Sequence, residues 1–278
     1  MFDNSPPKFL GHASFAPIEG FLLRFDVKSA DLEKVCEEII ERSRTSHDAI
    51  AKLKPEECTF NNVFVALGKL EGWVGTYSRI LTFPQYVSTD KGLREASSVA
   101  QQKLSAYKIQ AAMREDLYGA VKAAKKNTDL HALGSEDRRL VEKLELEFKR
   151  NGLDLPKEKR DEIQAIYTRL SELSIKFSKT IADDETSIDL KEEELKGMPE
   201  DYLQGLESKK GPNGEKLYTV TMKYPDITPL LEMCTVAESR KKVEFVYGAR
   251  CESNIAVLEE AIALRRKAAQ LMGYKTHA

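Results

Sequence analysis

The sequence predicts a mainly α fold: a multi-helix domain with long antiparallel helices and a small β-hairpin or ribbon around residues 186–223. Three observations predict it. Ile163, Ile166, Tyr167, Leu170, Leu173, Phe177 and Ile181 recur at steps of three or four, which lines one face of a helix. Of the 278 residues, 32% are charged and 41% hydrophobic, the balance of a soluble chain with much charged helical surface. The best strand candidate, Leu217–Met222, follows a Gly211-Pro212-Asn213-Gly214 turn.

Residues 1–28 read as an irregular arm, with Pro6, Pro7 and Pro17 among scattered apolar side chains. The first helix is expected to start at Ser29 or Asp31, both good N-caps, and to bury Leu32, Val35, Cys36, Ile39, Ile40 and Ile50. His47 lies near that stripe and is expected to be a half-buried, hydrogen-bonded histidine. Thr59 is placed to cap a second helix that turns Phe60, Val63, Phe64, Leu67 and Leu70 inward. Gly68, Gly72 and Gly75 weaken this helix, and would let a neighbouring backbone approach around the sole tryptophan, Trp73.

Pro84 breaks the chain, and one long helix is expected from about Thr89 to Lys126. Ser135 can cap the next segment. The stretch Arg138–Asp184 then reads as a helical hairpin about Asn151-Gly152, where Asn-Gly can take the left-handed conformation that stops a helix. Pro156 suits the first turn of the helix that follows. Thr186–Leu190 is a second short strand candidate. Three more helices are expected, roughly Ile227–Cys234, Ala237–Cys251 and Asn254–Met272, with Ile255, Leu258, Ile262 and Leu271 on one face of the last. The domain reading is therefore an arm over 1–28 and one helical domain over 29–278, with subregions 29–185, 186–223 and 224–278.

The chemistry-bearing residues form no recognisable centre. Basic and acidic residues number 43 and 45, so a net charge of -2 gives no overall attraction to nucleic acid or anionic lipid. The short clusters Lys125-Lys126, Arg240-Lys241-Lys242 and Arg265-Arg266-Lys267 are interleaved with acids. No long apolar run suggests a membrane span, and no leader or transit signal opens the chain. The cysteines Cys36, Cys58, Cys234 and Cys251 lack C-x-x-C spacing and read as reduced thiols, which points to a cytoplasmic setting. The histidines are His12, His47, His131 and His277; none forms H-E-x-x-H, and no two stand at helical i, i+4 spacing. The carboxylate runs Glu37-Glu38, Asp183-Asp184-Glu185 and Glu192-Glu193-Glu194 fit solvated surface. No serine or cysteine nucleophile motif and no phosphate-binding glycine loop is present. Catalytic, cofactor-binding and metal-binding residues are accordingly all assigned as none.

Five stretches, in this order, nevertheless resemble one family. They are RRLVEKLELEFKRNGLDLP (138–156), RLSELSIKFSKTIADDE (169–185), YTVTMKYPDITPLLEMC (218–234), ESRKKVEFVYGARCESN (238–254) and LRRKAAQLMGYKTHA (264–278). They are similar to the thimet oligopeptidase family of zinc metalloendopeptidases. The resemblance implies two mostly helical domains flanking a deep, narrow channel that admits short peptides and excludes folded proteins. It places the catalytic H-E-x-x-H helix and the third zinc ligand downstream of the segment similar to GYKTHA. The chain therefore resembles the N-terminal portion only.

The function expected from this resemblance is the N-terminal channel-wall domain of a zinc-dependent oligopeptidase, inactive alone because the metal motif is missing. Zinc belongs to the full-length enzyme and no cofactor to this chain. The partners expected are short peptides and the C-terminal catalytic domain, with no nucleic acid and no membrane. An unusually apolar face near the C-terminal helices is expected, with a tendency to self-associate through it. The alternative reading is a non-catalytic peptide- or protein-binding helical module.

Overall fold

In the computed structural model, residues 27–278 are described, and they form two compact units. Most of the expected N-terminal arm, with His12, lies outside the described residues. Unit 1 comprises the described residues up to Lys179 together with Val257–Ala278; unit 2 is Thr180–Ala256.

Unit 1 is helical. Helix α1 (Ser29–Ala51) buries Leu32, Val35, Cys36, Ile39 and Ile50 of the stripe read from the sequence, and leaves Ile40 half-buried. Its cap differs from expectation: Ser29 is already helical, and Asp31 reaches back from the third position to accept the Lys28 backbone N–H at 3.3 Å. Thr59 caps as expected, in a reciprocal pair. Its hydroxyl accepts the Asn62 N–H at 3.3 Å, and the Asn62 side-chain carbonyl accepts the Thr59 N–H at 2.7 Å. The chain it starts is a π-helical turn (Phe60–Val65) that continues as helix α2 (Ala66–Thr82). Val63, Phe64, Leu67 and Leu70 are buried, and Phe60 is partly so.

The α2 glycines do not provide the close backbone approach expected of them. A Cβ at Gly72 or Gly75 would meet nothing within 4 Å, and one at Gly68 would make ordinary contact with Leu140, 3.6 Å away. Trp73 is packed instead by Tyr77, ring centroids 5.0 Å apart, and by the Arg42 guanidinium, 4.3 Å from its ring. Because the two open glycines only add flexibility to the unfolded chain, Gly72→Ala and Gly75→Ala are each expected to stabilise unit 1 by about 0.5–1 kcal/mol. Urea unfolding of the single variants checks this; a lower midpoint at either position would reveal a use for the bare backbone.

After the short helix α3 (Pro84–Val87) come α4 (Lys91–Ala112) and α5 (Glu115–Lys126). Asp90 caps α4 through the Gly92 and Leu93 N–H groups. The single long helix expected over this region is thus broken at Met113-Arg114. No glycine or proline causes the break. Arg114 is extended there, and its guanidinium forks between Asp48 of α1 at 2.5 Å and Asp116 at 2.7 Å. Glu115 and Asp116 then complement the positive end of the new helix, and the Asp116 carboxylate accepts the Leu117 N–H at 2.8 Å.

Helix α6 (Ser135–Arg150) ends as the Asn-Gly sequence foretold. Gly152 has φ +86°; its N–H donates to the Lys149 carbonyl, and the Leu153 N–H reaches back to Phe148. This paired reach is the Schellman motif. Helix α7 (Lys157–Ala182) begins one residue after Pro156, whose carbonyl accepts the Arg160 N–H. Of its predicted face, Ile163, Ile166 and Leu173 are buried, Tyr167, Leu170 and Phe177 are half-buried, and Ile181 is exposed. Within unit 1, α7 is held at its polar positions by ion pairs: Arg160 with Glu115, Lys179 with Glu95, and Arg169 with Glu260 of helix α11 (Asn254–Leu271).

Unit 2 is built on a three-stranded antiparallel sheet in the order β1-β3-β2, with β1 Ser187–Lys191, β2 Glu207–Lys210 and β3 Lys216–Thr221. The two outer registers pair Leu190 with Tyr218 and Ser208 with Tyr218. Alternation sends Tyr218 and Val220 to the buried side, where Leu190, Leu195 and Met222 join them. Helix α9 (Tyr224–Met233) adds Ile227 and Leu230, and α10 (Ala237–Ala249) adds Val243. Pro225 stands in the first turn of α9, where its missing N–H costs no helical bond. A short helix α8 (Glu200–Gly205) precedes β2. β2 escaped the sequence reading because all four of its residues are exposed.

Candidate functional site

The histidines separate on inspection. His131 and His277 are exposed. His47 of α1 sits half-buried with its Nδ1 2.8 Å from the Tyr107 hydroxyl, the satisfied arrangement expected of it. Burial, and next to it the Arg114 charge, hold its pKa down at about 4, so the ring is neutral at physiological pH. The same burial pushes the Tyr107 hydroxyl up to about 12.

The thiols are free and each donates to a backbone carbonyl: Cys36 to Ala100, Cys58 to Lys54, Cys234 to Glu194 and Cys251 to Thr180. Burial raises the Cys36 thiol to about 11, the opposite of what a nucleophile needs.

Charged clusters singled out in the sequence are largely occupied in local pairs. Lys125 bonds Glu145 at 2.6 Å, Lys242 bonds Glu194 at 2.7 Å, Lys267 bonds Glu162 at 2.5 Å, and Arg240 donates to the Cys234 carbonyl. Asp184 accepts the Thr186 hydroxyl at 2.7 Å. Among the described residues no three His, Cys, Asp or Glu side chains gather as a metal site requires. No helix among the described residues is long and apolar enough to cross a membrane.

Among the described residues, two features stand out as able to contact another molecule. The first is a pocket of about 240 Å³ in unit 1. Helices α1, α2, α4, α5 and α6 all contribute to its wall, which is why no local motif announced it. Ile39, Leu70, Leu104 and Phe148 give it an apolar interior; His47 and Tyr107 lie in the lining, as do Glu71 and Glu147. The Glu147 carboxyl is raised by burial and then by the Glu71 charge.

The second feature is an open apolar stripe on α11. Of the face expected, Ile255, Leu258 and Ile262 lie together and are 57%, 46% and 55% exposed, whereas Leu271 is half-buried and falls on another side of the helix. Asn254, Val257, Ala268 and Ala269 are the residues α11 buries. In unit 2, Tyr224 and Phe245 are also largely exposed.

Comparison with known proteins gives the context for these surfaces. No family model matches the chain. It is 40% identical over 257 residues to the thimet-like oligopeptidase of Dictyostelium discoideum, a match covering 91% of this chain and 38% of that relative. It is 31% identical over 255 residues to saccharolysin of Saccharomyces cerevisiae, covering 90% and 35% respectively. With the probable thimet oligopeptidase of Arabidopsis thaliana it shares 30% over 252 residues, again 90% of this chain and 34% of the relative. The chain thus spans little more than a third of the length of the curated relatives it matches. Near-complete alignment of its own length to several such proteins means that this chain belongs to the thimet oligopeptidase family.

Proposed function

We propose that this chain is the N-terminal, channel-wall portion of a zinc-dependent oligopeptidase that hydrolyses short peptides in the cytoplasm. The observation that carries the reading is the pairing of 40% identity over 91% of this chain with coverage of 38% of the relative. In this reading the metal ligands and the general base come from polypeptide outside these 278 residues. The chain limits which peptides reach the reacting centre and performs no bond cleavage. The apolar stripe Ile255, Leu258 and Ile262 suits a surface covered by further polypeptide.

The test is complementation. The purified chain with added zinc is expected to leave a quenched short peptide intact and to retain no stoichiometric zinc. Mixed with the part of the Dictyostelium relative that this chain does not match, it is expected to yield chelator-sensitive hydrolysis that neither component gives alone. Zinc-dependent turnover by this chain alone would overturn the division of labour.

The same exposed stripe favours a second reading, a non-catalytic helical module that binds peptides or a protein. Calorimetry with short peptides separates the two. Binding without hydrolysis in the complemented mixture supports the module; hydrolysis supports the enzyme portion.

A further inference from the structure

The pocket in unit 1 has no part in the channel-wall reading. Its volume of about 240 Å³ exceeds the roughly 150 Å³ at which an apolar protein cavity holds a benzene-sized guest. Its interior is aliphatic and aromatic, from Ile39, Leu70, Leu104 and Phe148. Of the charged residues in its lining, two are acidic, Glu71 and Glu147, and one is basic, Lys108. Glu71 of α2 and Glu147 of α6 contribute two carboxylates, and neither has an ion-pair or hydrogen-bond partner among the described residues. They are close enough that the Glu71 charge raises the Glu147 carboxyl, against the opposing charges of Lys143 and Arg150. Lys108 also lines the pocket and is paired with neither. His47 is neutral and adds no opposing charge.

These facts select the chemistry of a guest. An apolar body would occupy the interior and bring these two exposed carboxylates partly out of water. A neutral guest leaves their mutual repulsion in place, an anionic one adds to it, and an ammonium relieves it. We propose that this pocket binds a small primary amine, its alkyl chain against the apolar wall and its ammonium against Glu71 and Glu147.

The experiment uses hexylamine, hexan-1-ol and hexanoate as matched probes on the full chain at pH 7.5 and low salt. Binding is followed by calorimetry and by amide chemical shifts. Hexylamine is expected to bind about fivefold more tightly than hexan-1-ol, the size of a partly exposed ion-pair contribution, and hexanoate more weakly than both. Each methylene removed from the amine is expected to weaken binding about fourfold, as burial of a chain in an apolar pocket requires. Shifts are expected to centre on Leu70, Leu104, Ala111 and Leu117.

The double substitution Glu71→Gln and Glu147→Gln leaves the interior intact. It is expected to keep the affinity for hexan-1-ol and to abolish the preference for the amine. Circular dichroism verifies that this variant is folded. Equal binding of amine and alcohol by the unaltered chain, no binding of any probe, shifts centred elsewhere, or an amine preference that survives the double substitution would each overturn the proposal.

Discussion

Alanine at Gly197 is expected to cost unit 2 on the order of 3 kcal/mol, while alanine at Gly214 costs about 1 kcal/mol. Both glycines are left-handed, with φ +93° and +84°. Gly197 is the third residue of the turn Leu195-Lys196-Gly197-Met198, in which the Met198 N–H donates to the Leu195 carbonyl and Lys196 has φ -56° and ψ 135°. These angles define a type II turn, which demands positive φ at its third position. Thr235 then closes over the turn, its N–H and hydroxyl both donating to the Lys196 carbonyl, at 2.8 and 2.9 Å. A Cβ on Gly197 would stand 2.7 Å from the Thr235 methyl and 2.8 Å from the Met233 carbonyl oxygen. The backbone oxygen cannot swing away, so Gly197→Ala must open the turn or lose the Thr235 bonds. At Gly214, in the loop between β2 and β3, a Cβ meets nothing within 4 Å, and only the conformational cost remains. Hydrogen exchange at the Tyr218 and Val220 amides of the central strand reads the difference. Equal protection in the two variants would mean that crowding at Gly197 is relieved without loss.

Such contrasts mark what local sequence carries and what it does not. Asn151-Gly152 could be read because a helix-stopping motif is a property of a few adjacent residues, and the Schellman bonds at Gly152 bear this out. The Leu217–Met222 alternation survives as β3 for the same reason. The break at Met113-Arg114 was not legible. It depends on Asp48, on another helix, and helical propensity alone argues for continuation. β2 was missed because an edge strand of Glu207, Ser208, Lys209 and Lys210 has no buried face to impose a period of two. The pocket was invisible for a related reason: Leu70, Leu104 and Phe148 each look like ordinary core on their own helices. Only the packing of five helices leaves space between them. The resemblance to the oligopeptidases followed from ordered matches along the chain, information independent of any single motif.

His47 supplies the other large effect, and it depends on pH. Its folded pKa of about 4 lies below the 6.5 of a free imidazole, because burial and then Arg114 disfavour the charged ring, against Asp48 and Asp116. Between these two values the unfolded chain binds a proton that the folded chain refuses. Stability from this group is therefore complete above pH 6.5 and falls as the pH drops toward 4, by about 3 kcal/mol at most. Carboxylates held low by ion pairs, such as Glu145 and Asp116, also lose stability in acid, so the wild-type curve alone cannot isolate the histidine. His47→Gln can, because glutamine has no proton to gain in this range and can still meet the Tyr107 hydroxyl. Urea unfolding at pH 7.5, 5.5 and 4.5 is expected to favour the wild type, or leave the two equal, at the highest pH. The variant is expected to gain steadily on it as the pH falls, and an imidazole resonance titrating near 4 should accompany the change. Parallel curves across the three pH values would mean that the ring takes up its proton without leaving its place beside Tyr107, and that burial at this position is weaker than the packing of α1 against α4 implies.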